Sequence, residues 1–254
     1  MGNINYSVIS LFPEMFESFC NYGVTSRAFD NSIAKVSLYN PRSYTVDKHQ
    51  TVDDRPYGGG PGMLMMYTPL AKAVEDAKKN LPDKVRGSSK VIYMSPQGEK
   101  FNQSIANELS KESALIFVCG RYEGVDERFI EDYVDREISI GDYVVSGGEL
   151  PSMIIMDSVL RLLPDVLGCT ESAVEDSFYS GLLDCCHYTR PAIVKTGKNV
   201  PEVLLSGNHA NIADWRMQQR LGRTYERRPE LLTRQCLSKK DKKLLDNYLR
   251  NKDK

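Results

Sequence analysis

Apolar positions fall in two textures along this chain. Through its first two thirds they come as short unbroken runs. Tyr6-Ser7-Val8-Ile9-Ser10-Leu11-Phe12 reads as a buried first strand, and Pro13-Glu14-Met15-Phe16 opens a helix with proline in its first turn. Val36-Ser37-Leu38-Tyr39 predicts a second short strand. Lys90-Val91-Ile92-Tyr93-Met94 and Ala114-Leu115-Ile116-Phe117-Val118-Cys119 are stronger, both apolar runs of the length of a strand covered on two faces. Residues 102–109 between them are helical in pattern. Strand, helix, strand predicts a parallel sheet with helices on both faces, an α/β fold whose ligands sit beyond the carboxyl ends of the strands.

The second texture begins after a helix predicted over residues 153–163, apolar at Ile154, Met156, Leu160 and Leu163 and stopped by Pro164. Residues 168–180 are polar, acidic and without period, which predicts a flexible linker. Residues 212–221 and 238–249 read as helices. The expected organisation is a first domain over residues 1–167, a linker over 168–180 and a smaller, mostly helical domain over 181–254.

Composition changes this picture little. With 254 residues and 41% hydrophobic content, one or two domains are expected. The first twenty residues lack a basic flank followed by an apolar core, and no run of roughly 18 apolar residues occurs, so a cytoplasmic location is expected. The six cysteines, Cys20, Cys119, Cys169, Cys185, Cys186 and Cys236, are too sparse for a disulfide scaffold and too irregular for a zinc motif, so they read as reduced thiols.

Charge is more informative. The net charge is -1, yet residues 216–254 hold 13 Lys and Arg against 5 Asp and Glu, a surplus of 8 that leaves -9 on residues 1–215. Such a basic tail attracts a polyphosphate backbone over about 8 Å at physiological salt. A solvated helical face with ordinary lysines is the plainer alternative.

Four segments are built for chemistry. Asp53-Asp54-Arg55-Pro56-Tyr57-Gly58-Gly59-Gly60-Pro61-Gly62-Met63 is glycine-rich but lacks the Gly-Lys-Ser/Thr ending of a phosphate loop. It offers a backbone that can approach a ligand closely, framed by two carboxylates and one guanidinium. Three turns follow or adjoin strands: Ser95-Pro96-Gln97-Gly98, Gly120-Arg121-Tyr122-Glu123-Gly124, and the stretch from Ser139-Ile140-Gly141-Asp142-Tyr143 to Ser146-Gly147-Gly148-Glu149. None has the G-x-G-x-x-G pattern of a dinucleotide site. A small adenosine-like ligand held by backbone edges is consistent with them, as is a purely structural role for each turn.

These segments, with Leu183-Asp184-Cys185-Cys186-His187-Tyr188-Thr189-Arg190-Pro191 and Leu204-Leu205-Ser206-Gly207-Asn208-His209-Ala210, resemble in order and spacing the bacterial tRNA (guanine-N1)-methyltransferases that act at position 37. The resemblance runs from Ile9 to about Leu232. It implies a methyltransferase with a deep trefoil knot, of the SPOUT superfamily, working as a homodimer with shared active sites. It implies that S-adenosylmethionine is held by Tyr93, Met94, Pro96, Gly120, Tyr122, Glu123, Ser139, Ile140, Gly141, Tyr143, Val145, Gly147 and Gly148. It further implies that the anticodon branch of tRNA meets His49, Asp53, Arg55, Asp184, Trp215, Arg216 and Arg220, with Arg223, Arg227 and Arg228 neutralising its backbone. The family also associates activity with Mg2+, for which no ligand set can be read. Glu123, Asp126, Glu127 and Asp184 lie in suitable segments. The sequence departs from the family at Gln50, where Arg is frequent, at Ala213-Asp214, and at Cys186, where proline is usual.

The chemistry of such a reaction sets its own requirement. Guanine N1 carries a proton and is a poor nucleophile until a base removes it, while negative charge then grows on O6. By resemblance, Asp176 is the base and Arg161 steadies O6. Because carboxylates are weak bases, the reaction leans on O6 stabilisation and on the leaving sulfonium. Two alternatives stay open, a related knotted enzyme acting on ribose 2′-OH and a non-catalytic RNA-binding protein.

Overall fold

The runs anticipated as strands lie side by side in one sheet. The computed structural model describes residues 3–167 and 176–252, and the chain divides into two units, residues 1–168 and 169–254. Of the expected linker, residues 168–175 lie outside the described residues.

In the first unit the order along the chain is β1 (Ile4–Ile9), α1 (Met15–Asn21), α2 (Gly23–Asp30), β2 (Ala34–Tyr39), a 3-10 turn, β3 (Asp53–Asp54), β4 (Leu64–Met65), α3 (Tyr67–Asn80), α4 (Asp83–Arg86), β5 (Lys90–Lys100), α5 (Gln103–Leu109), β6 (Ala114–Val118), α6 (Glu127–Tyr133), β7 (Arg136–Ser139) and α7 (Glu149–Leu160). The sheet runs β2-β1-β6-β5-β7, and every neighbouring pair in it is parallel. The three strands that lead into the polar turns, β6, β5 and β7, are therefore adjacent.

Both faces of the sheet are covered, which is why β6 is apolar at every position. On one face Tyr6, Val8, Leu115 and Phe117 pack with Phe16 of α1 and with Ile155, Met156, Val159 and Leu160 of α7. Each of those α7 side chains contributes roughly 1.5–3 kcal/mol by leaving water. On the other face Ile9, Val91, Ile116 and Val118 meet Leu70, Val74 and Ala77 of α3 and Phe129 of α6. α5 is fixed at its start by Asn102, whose side chain accepts from the amides of Ser104 and Ile105 at 2.9 and 3.1 Å.

Three elements differ from the sequence reading. β5 does not stop at Met94. Both Met94 and Glu99 pair with Ile138 of β7, so Ser95-Pro96-Gln97-Gly98 is a bulge within one long strand and not a terminal turn. α7 starts at Glu149, four residues before the predicted helix, and carries Pro151 in its first turn, where a missing N–H costs nothing. β7 itself is too short and too mixed, Arg-Glu-Ile-Ser, to stand out as a strand.

The described part of the second unit begins with irregular chain and ends in helices at Glu202–Leu205, His209–Arg227, Pro229–Thr233 and Lys239–Lys252. Asn208 caps the longest of them, accepting from the Asn211 amide at 3.2 Å. That helix packs on the last one, and a Cβ at Gly222 would overlap the Tyr248 ring.

Candidate active site

A cavity of about 260 Å³ opens at the bulge of β5 and the carboxyl ends of β6 and β7. Its lining includes all thirteen residues that the resemblance assigns to the cofactor, from Tyr93, Met94 and Pro96 through Gly120, Tyr122 and Glu123 to Ser139, Ile140, Gly141, Tyr143, Val145, Gly147 and Gly148. Ser95, Arg121, Gly124, Ile138, Val144, Ser146 and Pro151 complete it. The walls are thus mixed. Met94, Ile138, Ile140 and Pro151 present apolar surface suited to a heterocycle, and Glu123 brings a carboxylate suited to a cation. The volume lies just under the roughly 300–1,000 Å³ of small-molecule sites.

The loops around this cavity are fixed by contacts that no sequence pattern announced. Glu149 is fully buried. It accepts from the Ser10 hydroxyl at 2.7 Å and from Arg121 Nε at 2.9 Å. Arg121 also donates to the Ser146 carbonyl at 3.0 Å, and its guanidinium lies 4.5 Å from the centre of the Phe12 ring. One arginine therefore ties the loop after β6 to the loop after β7 and to the start of the chain. A Cβ on Gly147 would overlap the Arg121 side chain. A Cβ on Gly148 would stand 2.6 Å from Cys119 Cα and 2.9 Å from the Gly120 nitrogen. These two glycines permit chain segments to touch. Gly141 differs, with φ of 134° that only glycine adopts without strain.

Titration in this region is governed mainly by burial. Burial, then the charges of Glu137 and Glu127, push the Tyr93 phenol up to about 12, so it keeps its proton. Burial holds the Cys119 thiol far above its usual range, which removes it as a nucleophile. Tyr122, at φ 60°, is raised by burial and by the Asp53 carboxylate beside it.

The glycine-rich loop joins the same neighbourhood. β3 and β4 pair as an antiparallel hairpin that carries it. The Glu123 amide donates to the Met63 carbonyl at 3.0 Å, and a Cβ on Gly62 would overlap the Glu123 side chain. Asp53 is half-buried beside Tyr122, whereas Arg55 and His49 are exposed.

The residues expected to act on guanine divide between the units, Arg161 in the first and Asp176 in the second. Arg161 closes the last turn of α7. One turn earlier lies Asp157, which burial raises and the Arg161 charge lowers, the former prevailing. In the second unit the Asp184 amide donates to the Ser177 hydroxyl at 2.9 Å, and the Asp184 carboxylate meets His187 Nε2 at 2.8 Å. Burial alone would raise Asp184, but His187 and the Cys185 amide outweigh it and hold the carboxyl below its usual range. Trp215 is half-buried and Arg216 exposed on the helix His209–Arg227, while Arg220 donates to the Ser180 hydroxyl at 2.7 Å.

Magnesium finds little to fit. Among the described residues the donor grouping is Asp184, Cys185 and His187, whose ligand atoms lie within 4.8 Å of one another. A thiol, an imidazole and one carboxylate are a poor match for an ion that takes oxygen ligands. Asp126 is already committed, capping α6 and pairing with Arg128 at 2.7 Å.

Comparison with known proteins gives a consistent result. A family model described as tRNA (Guanine-1)-methyltransferase TrmD matches residues 4–234. The chain is 58% identical over 245 residues to a tRNA (guanine-N(1)-)-methyltransferase of Francisella tularensis subsp. holarctica, with 96% of each chain covered. It is 56% identical over 253 residues to proteins of that description from Pseudomonas fluorescens and Pseudomonas syringae pv. tomato, covering 100% of this chain and 99% of each relative.

Proposed function

The chain belongs to the tRNA (guanine-1)-methyltransferase family, and on that premise we propose that it methylates N1 of guanosine 37 in tRNA, using S-adenosylmethionine, with Asp176 as base and Arg161 as the partner of O6. The chain is a methyltransferase, and the trefoil knot comes with the family. The observation that carries the reading is the cavity at the β5 bulge and the ends of β6 and β7, whose lining coincides with the motifs of the resemblance.

Bound there, S-adenosylmethionine supplies a methyl group on a sulfonium, ready for transfer to a nucleophile. Met94, Ile138 and Ile140 would flank its heterocycle, the backbone of the turns at Gly120 and Gly141 would meet its polar edge, and Glu123 would face its cationic part. Arg121 and Glu149 keep the two loops together so that this cradle exists before substrate arrives. On the RNA side, Asp176 takes the N1 proton, and the Arg161 guanidinium offsets the charge that grows on O6. The Asp184 carboxylate is stabilised by His187 and the Cys185 amide, which weakens it as a base. No step of this account requires a metal ion.

The basic second unit, residues 181–254 in the proposed division, supplies the electrostatic attraction for tRNA, with Trp215, Arg216 and Arg220 on its long helix and His49, Asp53 and Arg55 contributed by the first. We also propose a homodimer. α7 is apolar on most of its circumference, yet Leu150 and Ile154 are 49% and 45% exposed, and Phe12 and Met15 beside Arg121 are exposed too. Apolar surface so disposed calls for a cover. Among the described residues no helix is long and apolar enough to cross a membrane.

The test is single-turnover transfer of labelled methyl at saturating enzyme and cofactor, with tRNA binding measured in parallel. Asp176→Asn should slow transfer by about 10²- to 10⁴-fold with binding retained. Near wild-type turnover would reject Asp176 as the base. Nuclease digestion and mass spectrometry of the product decide between N1 of guanine and a ribose 2′-OH target.

A further inference from the structure

The second unit holds a cavity of its own, about 930 Å³, which the chemistry assigned to Asp176 does not use. Its walls include His187, Tyr188, Arg190, Leu204, Trp215 and Arg216. We propose that this cavity receives an unstacked base of bound RNA, with the adjoining phosphates on Arg190 and Arg216. The proposal rests on the tRNA methyltransferase reading for the identity of the RNA.

Three observations select this occupant. The Tyr188 and Trp215 rings are 6.3 Å apart with planes inclined at 52°, so they form two walls of different direction and are not stacked on each other. Tyr188 is 49% exposed, leaving its ring available as a platform. Arg190 and Arg216 are both exposed, and among the described residues neither is engaged in an ion pair. His187, another titratable wall residue, is turned to Asp184. An occupant with a flat π face and negative charge close by satisfies aromatic walls and guanidiniums together, and an unpaired nucleotide is such a group. Continuity with the basic helix, which runs on through Arg220, Arg223 and Arg227, favours a nucleic acid over an acidic peptide. An apolar strip at Leu204 completes the lining without competing for the charge.

The wall carries two built-in reporters. Trp215 is the only tryptophan of the chain, and the half-buried Cys186 thiol lines the cavity 3.7 Å from the Tyr188 hydroxyl. The full-length protein is titrated with an anticodon stem–loop RNA. Trp215 emission should be quenched along the same curve as filter retention of the RNA, and alkylation of Cys186 by iodoacetamide, mapped by mass spectrometry, should slow as the RNA saturates. Tyr188→Leu should weaken RNA affinity about 5- to 150-fold, the range expected for loss of one stacking platform, while Tyr188→Phe keeps the ring and stays near wild type. Arg190→Gln should lower the slope of log affinity against log salt by about one.

Saturable RNA binding with emission, Cys186 alkylation and Tyr188→Leu affinity all unchanged would overturn the proposal. So would quenching that follows protein concentration in the absence of RNA, since a second copy of the chain would then fill the cavity. The two readings fail separately. A wild-type protein that methylates guanine but shows neither quenching nor protection refutes the cavity alone, whereas quenching and protection without methyl transfer refute the enzymatic reading and support the cavity.

Discussion

Gly148→Ala offers the most direct test of how the cavity is built. The residue precedes α7 with φ of -78° and ψ of -7°, a conformation open to alanine, so backbone strain adds nothing to the effect. What the methyl meets is main chain, with Cys119 Cα at 2.6 Å and the Gly120 nitrogen at 2.9 Å. Neither can rotate away as a side chain would. The Gly148 amide also donates to the Gly120 carbonyl at 3.0 Å, so separating the segments strains that bond as well. Overpacking of this kind costs about 1–3 kcal/mol, and with no rotamer to relieve it the upper end applies. For a unit of this size that lowers Tm by about 6–12 °C. Gly87→Ala is the matched control, because its φ of -72° suits alanine and nothing lies within 4 Å of the added methyl. It should gain about 0.4–1 kcal/mol through the unfolded chain. Scanning calorimetry of the two variants, with calorimetric titration of S-adenosylmethionine, makes the comparison. If Gly148→Ala melts with Gly87→Ala and binds the cofactor normally, the crossing of the two loops does not shape the cavity.

Further outcomes follow from the same contacts. Glu149→Gln keeps a partner for Ser10 but removes the charge facing Arg121, whose side chain is 17% exposed; about 2–3 kcal/mol should be lost in urea unfolding, with a raised KM for S-adenosylmethionine, and unaltered values for both would dismiss the tie. In sedimentation at micromolar concentration the protein should run at twice its 28.7 kDa chain mass, and Ile154→Lys should halve that while Val46→Lys, at a 96% exposed position, leaves it unchanged; a dimeric Ile154→Lys protein would exclude α7 from the interface. Asp184 has a carboxyl held below its usual range in the folded state, so its stabilisation is complete above the unfolded value of about 4 and disappears as pH falls through the folded one. The Tm difference between wild type and Asp184→Asn should therefore shrink as pH falls below about 4, and a difference that grows over that range would reverse the assignment.

What could be read from the sequence was local. A glycine or proline turn after an apolar run is a signal within ten residues, and it marked where a ligand could sit, while the lining residues themselves came from the resemblance. Contacts between distant segments were not legible. Ser95-Pro96-Gln97-Gly98 has the composition of a turn, and only pairing with Ile138 on β7 makes it a bulge. Glu149 has the look of an exposed acid ending a glycine turn, yet it is buried and bonded to Ser10 and Arg121, 139 and 28 residues away. α3 does not stand out in the sequence although Leu70, Val74 and Ala77 recur at helical spacing, because its alanines carry little hydrophobic weight and its face is defined by the sheet beneath it.

The glycines carry the point furthest. From the resemblance, Gly141, Gly147 and Gly148 all lack side chains to admit a ligand. The geometry separates them. Gly141 needs its φ of 134°, and substitution there strains the turn whatever the pocket holds. Gly147 accommodates the Arg121 side chain, and Gly148 accommodates Cys119 and Gly120. All three are thus required before any ligand arrives, Gly141 by its backbone angle and Gly147 and Gly148 because a cavity beside parallel strands can be walled by backbone only where two loops come within hydrogen-bond distance of each other. The buried Glu149 and its arginine hold those loops at that distance. The same arrangement leaves N–H and C=O groups at the rim, which is the chemistry a nucleoside edge requires, so packing at the crossing and recognition at the cavity depend on the same few residues.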